Sequence, residues 1–273
     1  MKNVILSILN NTKIPDKIVL NLSSDEFKNK EKDLPNDLIN LITENNIIEL
    51  FWVKENTFQF KKLLPTLKRY PNDIIISIDD DFIYNNNFIE SLYNDFIKYD
   101  CKYPITCWKN TAAGIGIYGN LNTHMGAASL TMYKFYGEYV YDIYENLVKI
   151  KLKNKVRIFD DTMYTYSAYL NGSQYKLSSI LFNDLVKQEI ETNTRISNNW
   201  AALKNWHKDI KDYIKQKYNK VFVKDVGFID SNNNHNITFI IVNRGGQHID
   251  AVIKNFENTF KSQFKYINFV VIE

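Results

Sequence analysis

The sequence predicts an α/β protein with a mainly parallel central sheet flanked by helices. Three observations carry that prediction. As far as residue 110, short β-branched apolar runs alternate with amphipathic helical stretches, the order that parallel strand–helix units produce. Three adjacent aspartates, Asp79, Asp80 and Asp81, directly follow one of those apolar runs, a position at the usual ligand crevice of such a sheet. A fresh strand–helix–strand pattern opens near residue 237.

Each element has its own warrant. Residues 3–10 predict a short helix stopped by Asn11 and Thr12. Residues 17–22 (KIVLNL) are β-branched and apolar, a buried strand. Residues 23–33 are polar and charged and predict a loop. Residues 35–45 place Leu38, Leu41 and Ile42 on one helical face. Residues 47–53 (IIELFWV) predict a second strand, and residues 58–69 a helix that Pro65 breaks or restarts. Residues 73–79 predict a third strand, 87–99 an amphipathic helix and 103–108 a fourth strand.

The middle is less regular. Residues 111–126, rich in Gly and Asn, predict loop. Residues 134–151 predict a long Tyr-rich helix, and residues 160–170 a second helix closed by Asn171 and Gly172. A strand is expected at 174–180, irregular polar chain at 184–205 and a charged amphipathic helix at 206–218. Residues 230–236 (DSNNNHN) form the clearest linker; strand 237–242, helix 249–260 and strand 266–272 follow. The expected organisation is one domain over 1–229, the linker, and over 237–273 the opening of a second domain cut off after its second strand.

Composition narrows the function. The chain has 273 residues, 45% hydrophobic and 24% charged, which excludes disordered and collagen-like classes. Thirty-four basic against 31 acidic residues leave a net charge of +3, too balanced for a protein that coats nucleic acid. No apolar run approaches the roughly 18 residues of a membrane span, and residues 4–9 are too short for a secretory core. Cys101 and Cys107 make neither a disulfide framework nor a zinc site, and they predict packing roles in a reducing cytoplasm. His124, His207, His235 and His248 share no ligand spacing.

Two acidic features carry chemistry. The carboxylates of Asp79–Asp81 suit a hard cation such as Mg2+ or Mn2+, which keeps open positions for phosphate oxygens; the other reading is a solvated acidic turn. Asp160 and Asp161 open a predicted helix. Either Asp160 caps that helix and Asp161 favours its positive end, or one of them is a general base toward a hydroxyl. A single base with no second nucleophilic carboxylate implies inversion at the reacting carbon. Lys61 and Lys62 sit on the helix before the acidic strand, as a solvated face or with one of them on a diphosphate. Gly114–Gly119 matches G-x-G-x-x-G, but Asn110–Ala113 before it and Asn120–Asn122 after it supply neither the strand nor the helix that a dinucleotide turn needs.

Several segments resemble bacterial GT-A glycosyltransferases of the family-two kind, found in capsule and lipooligosaccharide gene clusters. They are Ile14–Leu20 (IPDKIVL), Asp25-Glu26-Phe27, Leu34-Pro35, Lys62–Pro65 (KLLP), Tyr70-Pro71 and Ile76–Tyr84 (ISIDDDFIY). The resemblance continues through Gly126–Leu130 (GAASL), Asp160-Asp161 and Glu191-Thr192-Asn193. It implies a GT-A-like, Rossmann-like fold with a partial second α/β unit at the C-terminus. It also implies Mn2+ or Mg2+ held by Asp79 and Asp81 on a nucleotide-sugar diphosphate. Asp80, Lys62, Gly126 and Ala127 would contact the donor. Asp161 would be the catalytic base, with Asp160 beside it.

The implied activity is metal-dependent, inverting transfer of a sugar to a hydroxyl of a growing surface glycan. The acceptor would be a glycan or lipid-linked glycan, the location cytoplasmic, at or near the inner membrane face, and no nucleic acid would be bound. Family members usually begin with one more central strand, followed by a Ser-Leu-Thr-Ser-Tyr-like segment, upstream of the helix found here at Met1. Gly126-Ala127 also stands where they have Gly-Gly, and Met163-Tyr164 where they have an aromatic after the acidic pair. The alternative expectation is therefore a catalytically inactive or accessory nucleotide- or sugar-binding remnant. A nucleotidyltransferase would want a Gly-rich basic loop that nothing before Asp79 supplies. A haloacid-dehalogenase phosphatase would want a small hydroxyl residue where Phe82-Ile83-Tyr84 stand.

Overall fold

A computed structural model describes residues 1–108, 118–156, 158–189, 200–231, 236–242 and 266–272. The chain is an α/β protein. It divides into two compact units, Met1–Ile210 with Lys224–Gly227 and Lys211–Val223 with Phe228–Glu273.

The first unit opens as the sequence predicts. Helix α1 (Lys2–Leu9) buries Val4, Ile5 and Ile8 on one face. Strand β1 (Ile18–Ser23), helix α2 (Asn36–Glu44) and strand β2 (Ile48–Val53) follow. The two strands pair in parallel, from Ile18 opposite Ile48 to Ser23 opposite Val53. A 3-10 turn over Phe58–Lys62 leads into α3 (Leu64–Arg69), with Pro65 in its first turn, where its missing N–H costs nothing. Next come β3 (Ile75–Ile78), β4 (Phe82–Tyr84) and α4 (Phe88–Lys98). Helix α4 buries Phe88, Ile89, Leu92 and Phe96 at helical spacing.

Beyond α4 the strands are shorter than the sequence suggests and the long Tyr-rich helix is broken, whereas the helix at 160–170 stands as predicted and the one predicted at 206–218 already begins at Trp200. Strand β5 is only Ile105–Thr106, and β6 (Ala128–Thr131) forms just after the predicted loop, in a stretch for which the sequence predicts no element. The Tyr-rich stretch forms α5 (Tyr139–Ile143), a π-helical turn at Tyr144–Val148 and α6 (Lys149–Lys153). Helix α7 (Asp160–Leu170), strand β7 (Lys176–Leu177), α8 (Phe182–Leu185), β8 (Val186–Glu189) and α9 (Trp200–Tyr218) complete the run. Strands β3, β6, β5 and β7 form a four-stranded sheet in that order. Its first two pairings are antiparallel and its last is parallel, so the sheet is mixed. Strand β4 pairs antiparallel with β8.

The expectation that β1, β2 and β3 share one sheet is met only for β1 and β2. Strand β3 lies instead against β6. The physical reason is that β6, a run of small residues with no predicted element, is buried along its whole length and pairs along β3. The core between the layers holds Ile5, Phe88, Leu92, Phe96, Ile105 and Leu130. Truncating one of its phenylalanines to Ala costs about 3–5 kcal/mol in such settings.

Strand β9 (Lys220–Val223) pairs with β10 (Gly227–Asp230), which from Phe228 on belongs to the second unit. Strand β11 (Asn236–Val242) runs parallel to β12 (Tyr266–Ile272), as a strand–helix–strand opening requires. The helix expected over 249–260 lies outside the described residues. Among the described residues no helix is long and apolar enough to cross a membrane.

Candidate functional site

The end of β3, the 3-10 turn at Lys62, the segment before β6 and the first turn of α7 meet at one place. The Lys62 ammonium lies 2.8 Å from Asp79 Oδ1 and 3.1 Å from Asp160 Oδ2. Asp161 Oδ1 accepts the Gly126 backbone N–H at 2.8 Å. Sequence-predicted residues from four separate segments thus converge. Lys61 does not join them, because it pairs with Glu26. Of the two lysines, Lys62 is the one facing the carboxylates.

The local fold explains how charged groups come to sit inside. Helix α7 is buried almost all round, so its first turn carries Asp160 into the interior, 8% exposed. The cap expected of Asp160 is absent. Phe159 takes that position without a side-chain cap bond, and Asp160 is the first helical residue. Asp161 keeps a partly exposed edge. Both aspartates still gain from the positive end of the helix dipole.

Lys62 is held from behind. Asn21, on β1, donates to the Lys62 carbonyl at 3.3 Å and to Thr66 Oγ1 at 2.7 Å. Gly126 leaves room in front, since a Cβ there would overlap the Lys62 ammonium and stand 3.2 Å from Asp161 Oδ1. Ala127 contributes through its backbone. Its carbonyl accepts the Tyr84 hydroxyl at 2.7 Å, and the same hydroxyl accepts the Asp79 N–H at 3.1 Å. Tyr84 therefore fixes the end of β3 against the Gly126–Ala127 segment. Sequence reasoning missed this role; the signal was a Tyr five residues after an acidic strand end, in a strand otherwise apolar.

The electrostatics follow from burial and charge balance. Burial lowers the Lys62 pKa, but Asp160, Asp79 and Asp161 outweigh it and raise it well above the ordinary lysine range. Burial, then the neighbouring Asp160, pushes Asp161 up to about 8. Burial raises Asp160 as well, against the pull of Lys62. Beneath them His124 is 2% exposed. Burial, reinforced by Lys62, keeps it well below the usual histidine range and so neutral, with Nδ1 3.0 Å from Tyr175 Oη. Burial also drives the Tyr84 hydroxyl up, helped by Asp79.

Three carboxylates surround one ammonium, so the full ionised set is short of positive charge. All-oxygen donors with an anionic excess are what a hard divalent cation takes, using one or two carboxylates and completing its shell with water and phosphate. The residues therefore fit Mg2+ or Mn2+ in chemistry. Among the described residues there is no group of three or more His, Cys, Asp or Glu side chains poised as a preformed metal cage. Asp79 is engaged by Lys62, Asp80 is exposed in the turn after β3, and Asp81 is half-buried just before β4.

The remaining candidates fall away from the site. Cys107 is buried, its thiol pushed up to about 12 by that burial, and it packs as expected. Cys101 is half-buried and free. His207 is buried with Nδ1 3.1 Å from Tyr166 Oη. Most of Gly114–Gly119 and all of Glu191-Thr192-Asn193 lie outside the described residues, as do His235 and His248. No protein-family model matches the chain, and no curated protein sequence matches it.

Proposed function

We propose that the first unit is a metal-dependent, inverting glycosyltransferase that moves a sugar from a nucleotide-sugar donor to a hydroxyl of a growing surface glycan. One observation carries this reading: carboxylates from a strand end and from a helix start converge on a single lysine beside a glycine-opened space. The family-two GT-A resemblance of the segments around Asp79, Gly126 and Asp161 supports it. The work belongs on the cytoplasmic side, with a glycan or lipid-linked glycan acceptor at the inner membrane face.

In this reading Asp161 removes the proton from the acceptor hydroxyl. Its pKa of about 8 suits a base that works near neutral pH. The acceptor oxygen then bonds to the anomeric carbon from the face opposite the diphosphate. The bond from that carbon to the diphosphate oxygen breaks, and nucleoside diphosphate leaves with the electron pair. Lys62, at the mouth of the same cluster, meets the diphosphate as a point charge. Asp160 holds Lys62 in place. Asp79 and Asp81 would hold Mn2+ or Mg2+, which neutralises charge on the leaving diphosphate when bound. Asp80, Gly126 and Ala127 line the donor side.

Calorimetry with a panel of nucleoside diphosphates, with and without Mn2+, tests the reading. Metal-dependent binding of one nucleotide, lost in Asp79→Ala and Asp81→Ala, is expected. Folded protein that binds none of them with metal would overturn it. A second reading, a binding remnant without turnover, is favoured by β1 and β3 each pairing on one edge only among the described residues. It predicts nucleotide binding with no sugar transfer or donor hydrolysis.

A further inference from the structure

We infer that the groove between α1 and the β4–β8 pair binds an acidic oligosaccharide. The groove lies within the first unit and encloses about 590 Å³, inside the range of about 300–1,000 Å³ that ligand sites occupy. Asn3, Leu6 and Asn10 line it from α1 and its end, Ile83 and Asn86 from β4 and the turn after it, and Lys187 from β8. Helix α1 is two-faced. Its Val4, Ile5 and Ile8 enter the core, while positions 3, 6, 7 and 10 follow one another along the groove at helical spacing.

A β-bulge aims the cation. Ile83 stands opposite Gln188 and Tyr84 opposite Val186, so Lys187 is the extra residue of β8. A bulge bends its strand and redirects the side chain at that point. Here it brings Lys187 to the groove wall, exposed and without an ion pair among the described residues. The walls themselves are braced. Tyr84 N–H donates to Ser7 Oγ at 3.1 Å. The Asn86 carbonyl accepts the Thr12 N–H at 2.7 Å and the Thr12 hydroxyl at 3.2 Å. The Asn85 amide donates to the Asp184 carbonyl at 2.8 Å. These bonds hold α1, the turn after β4 and α8 together without using the side-chain amides of Asn3, Asn10 or Asn86. Among the described residues those three amides have no partner.

The chemistry of the walls selects the ligand. A side-chain amide offers donor and acceptor side by side, which matches neighbouring hydroxyls on a sugar ring. Leu6 and Ile83 give apolar surface for the C–H groups of that ring. No Asp or Glu lines the groove, so nothing in its wall opposes the Lys187 ammonium, and an anionic group on the ligand is favoured. A nucleic acid would want a row of cations to match its phosphates. One lysine among amides suits a carboxylate carried on a chain of hydroxyls. Tyr84 links the groove to the aspartate cluster, its N–H on Ser7 and its hydroxyl on Asp79 N–H. A role in holding the growing glycan rests on the transferase reading above; the binding itself does not.

The test titrates the protein, without nucleotide, with three acidic tetrasaccharides: alternating glucuronate and N-acetylglucosamine, polygalacturonate and polysialate. Their carboxyl-reduced forms are the neutral controls and inorganic phosphate the bare anion. Calorimetry gives affinity, and NMR of side-chain amides gives location. At least one acidic tetrasaccharide is expected to bind and to shift the Asn3, Asn10 and Asn86 signals. Lys187→Ala should weaken that binding about fivefold, as loss of an exposed ion pair does, and leave the reduced form unaffected. Asn10→Ala combined with Asn86→Ala should weaken both forms. All three positions are exposed, and unchanged melting temperatures would confirm intact folds. Amide signals that no acidic tetrasaccharide shifts overturn the inference. Acidic and reduced forms that bind alike, with or without Lys187, overturn the acidic assignment. Phosphate that shifts the same signals as strongly as the sugars reveals a bare anion site and overturns the sugar assignment. Sugar binding in a protein that binds no nucleoside diphosphate sinks the transferase reading alone, and nucleotide binding beside a silent groove sinks the groove alone.

Discussion

Gly126 and Lys62 occupy one another's space: a side chain at 126 would stand where the Lys62 ammonium reaches Asp79 and Asp160. The missing Cβ is therefore a feature of the site rather than of a turn. The crowding falls on the flexible end of a lysine, so the fold can survive a change at 126 while the charge cluster cannot keep its arrangement.

Gly126→Ala is accordingly expected to fold, with a stability loss of about 1–3 kcal/mol from overpacking. The Lys62 ammonium should move off Asp79. Nitrogen NMR of the lysine side chains reads this directly. An unmoved Lys62 resonance in the variant would refute the steric account.

Lys62→Met removes the ammonium that pairs with Asp79 and Asp160. Breaking a buried ion pair by deleting one partner costs about 3–5 kcal/mol. Lys62 and Asp79 keep some solvent access, so a loss near about 3 kcal/mol at pH 7.5 is expected by urea unfolding. Part of it should return at pH 5, where Asp160 and Asp161, both raised by burial, can hold protons. A loss below about 1 kcal/mol, the surface-pair range, would mean that solvent rather than Lys62 balances these carboxylates.

Much of this was legible in the sequence, for physical reasons. Strands β1 and β2 announce themselves because buried parallel strands are continuous β-branched runs, and α4 because its apolar face repeats at helical spacing. Asp79, Asp160 and Asp161 stand out because adjacent carboxylates repel and need a reason to be together. Strand β6 did not announce itself. Its Ala128, Ser129 and Thr131 are small or polar, and they become strand only because β3 and β5 bury them from both sides. The choice between Lys61 and Lys62 was equally closed, since neighbours in a 3-10 turn point apart and only tertiary contacts say which turns inward. Tyr84 was hidden because its partners, Asp79 N–H and the Ala127 carbonyl, are backbone groups that no side-chain motif records.

Tyr84→Phe isolates that hidden link. Its hydroxyl exchanges bonds with Asp79 and Ala127 while 2% exposed. Removing it leaves a half-buried N–H and a buried carbonyl without this partner, at about 1–3 kcal/mol. Ring packing on Phe88, 4.3 Å between centroids, is retained. Nucleotide affinity should fall along with stability, because the end of β3 loses its tether. Binding unchanged in the presence of a clear stability loss would show that Asp79 does not depend on Tyr84 for its position.

The aspartate pair sets the response to pH. Asp161 rises from an ordinary 3.8 to about 8 in the folded chain, and Asp160 shifts the same way. Between roughly pH 4 and 8 the folded state thus holds more protons than the unfolded state, and stability falls as pH rises through that window. Lys62 acts elsewhere: its raised pKa gives stability that is fully present below the unfolded value of 10.5 and is lost only as pH rises through the folded one. Glu49, lowered by the Tyr70 hydroxyl and Arg69, matters only as pH falls below about 4.5. The melting temperature should therefore decline from pH 5 to pH 8, and Asp161→Asn should flatten that decline. If Asp161 is also the base, kcat/KM should climb about tenfold per pH unit below 8 and level off above it. A melting temperature that stays flat or rises over pH 5–8 would remove the buried-carboxylate account, and a flat rate profile with a declining melting temperature would remove only the role of Asp161 as base.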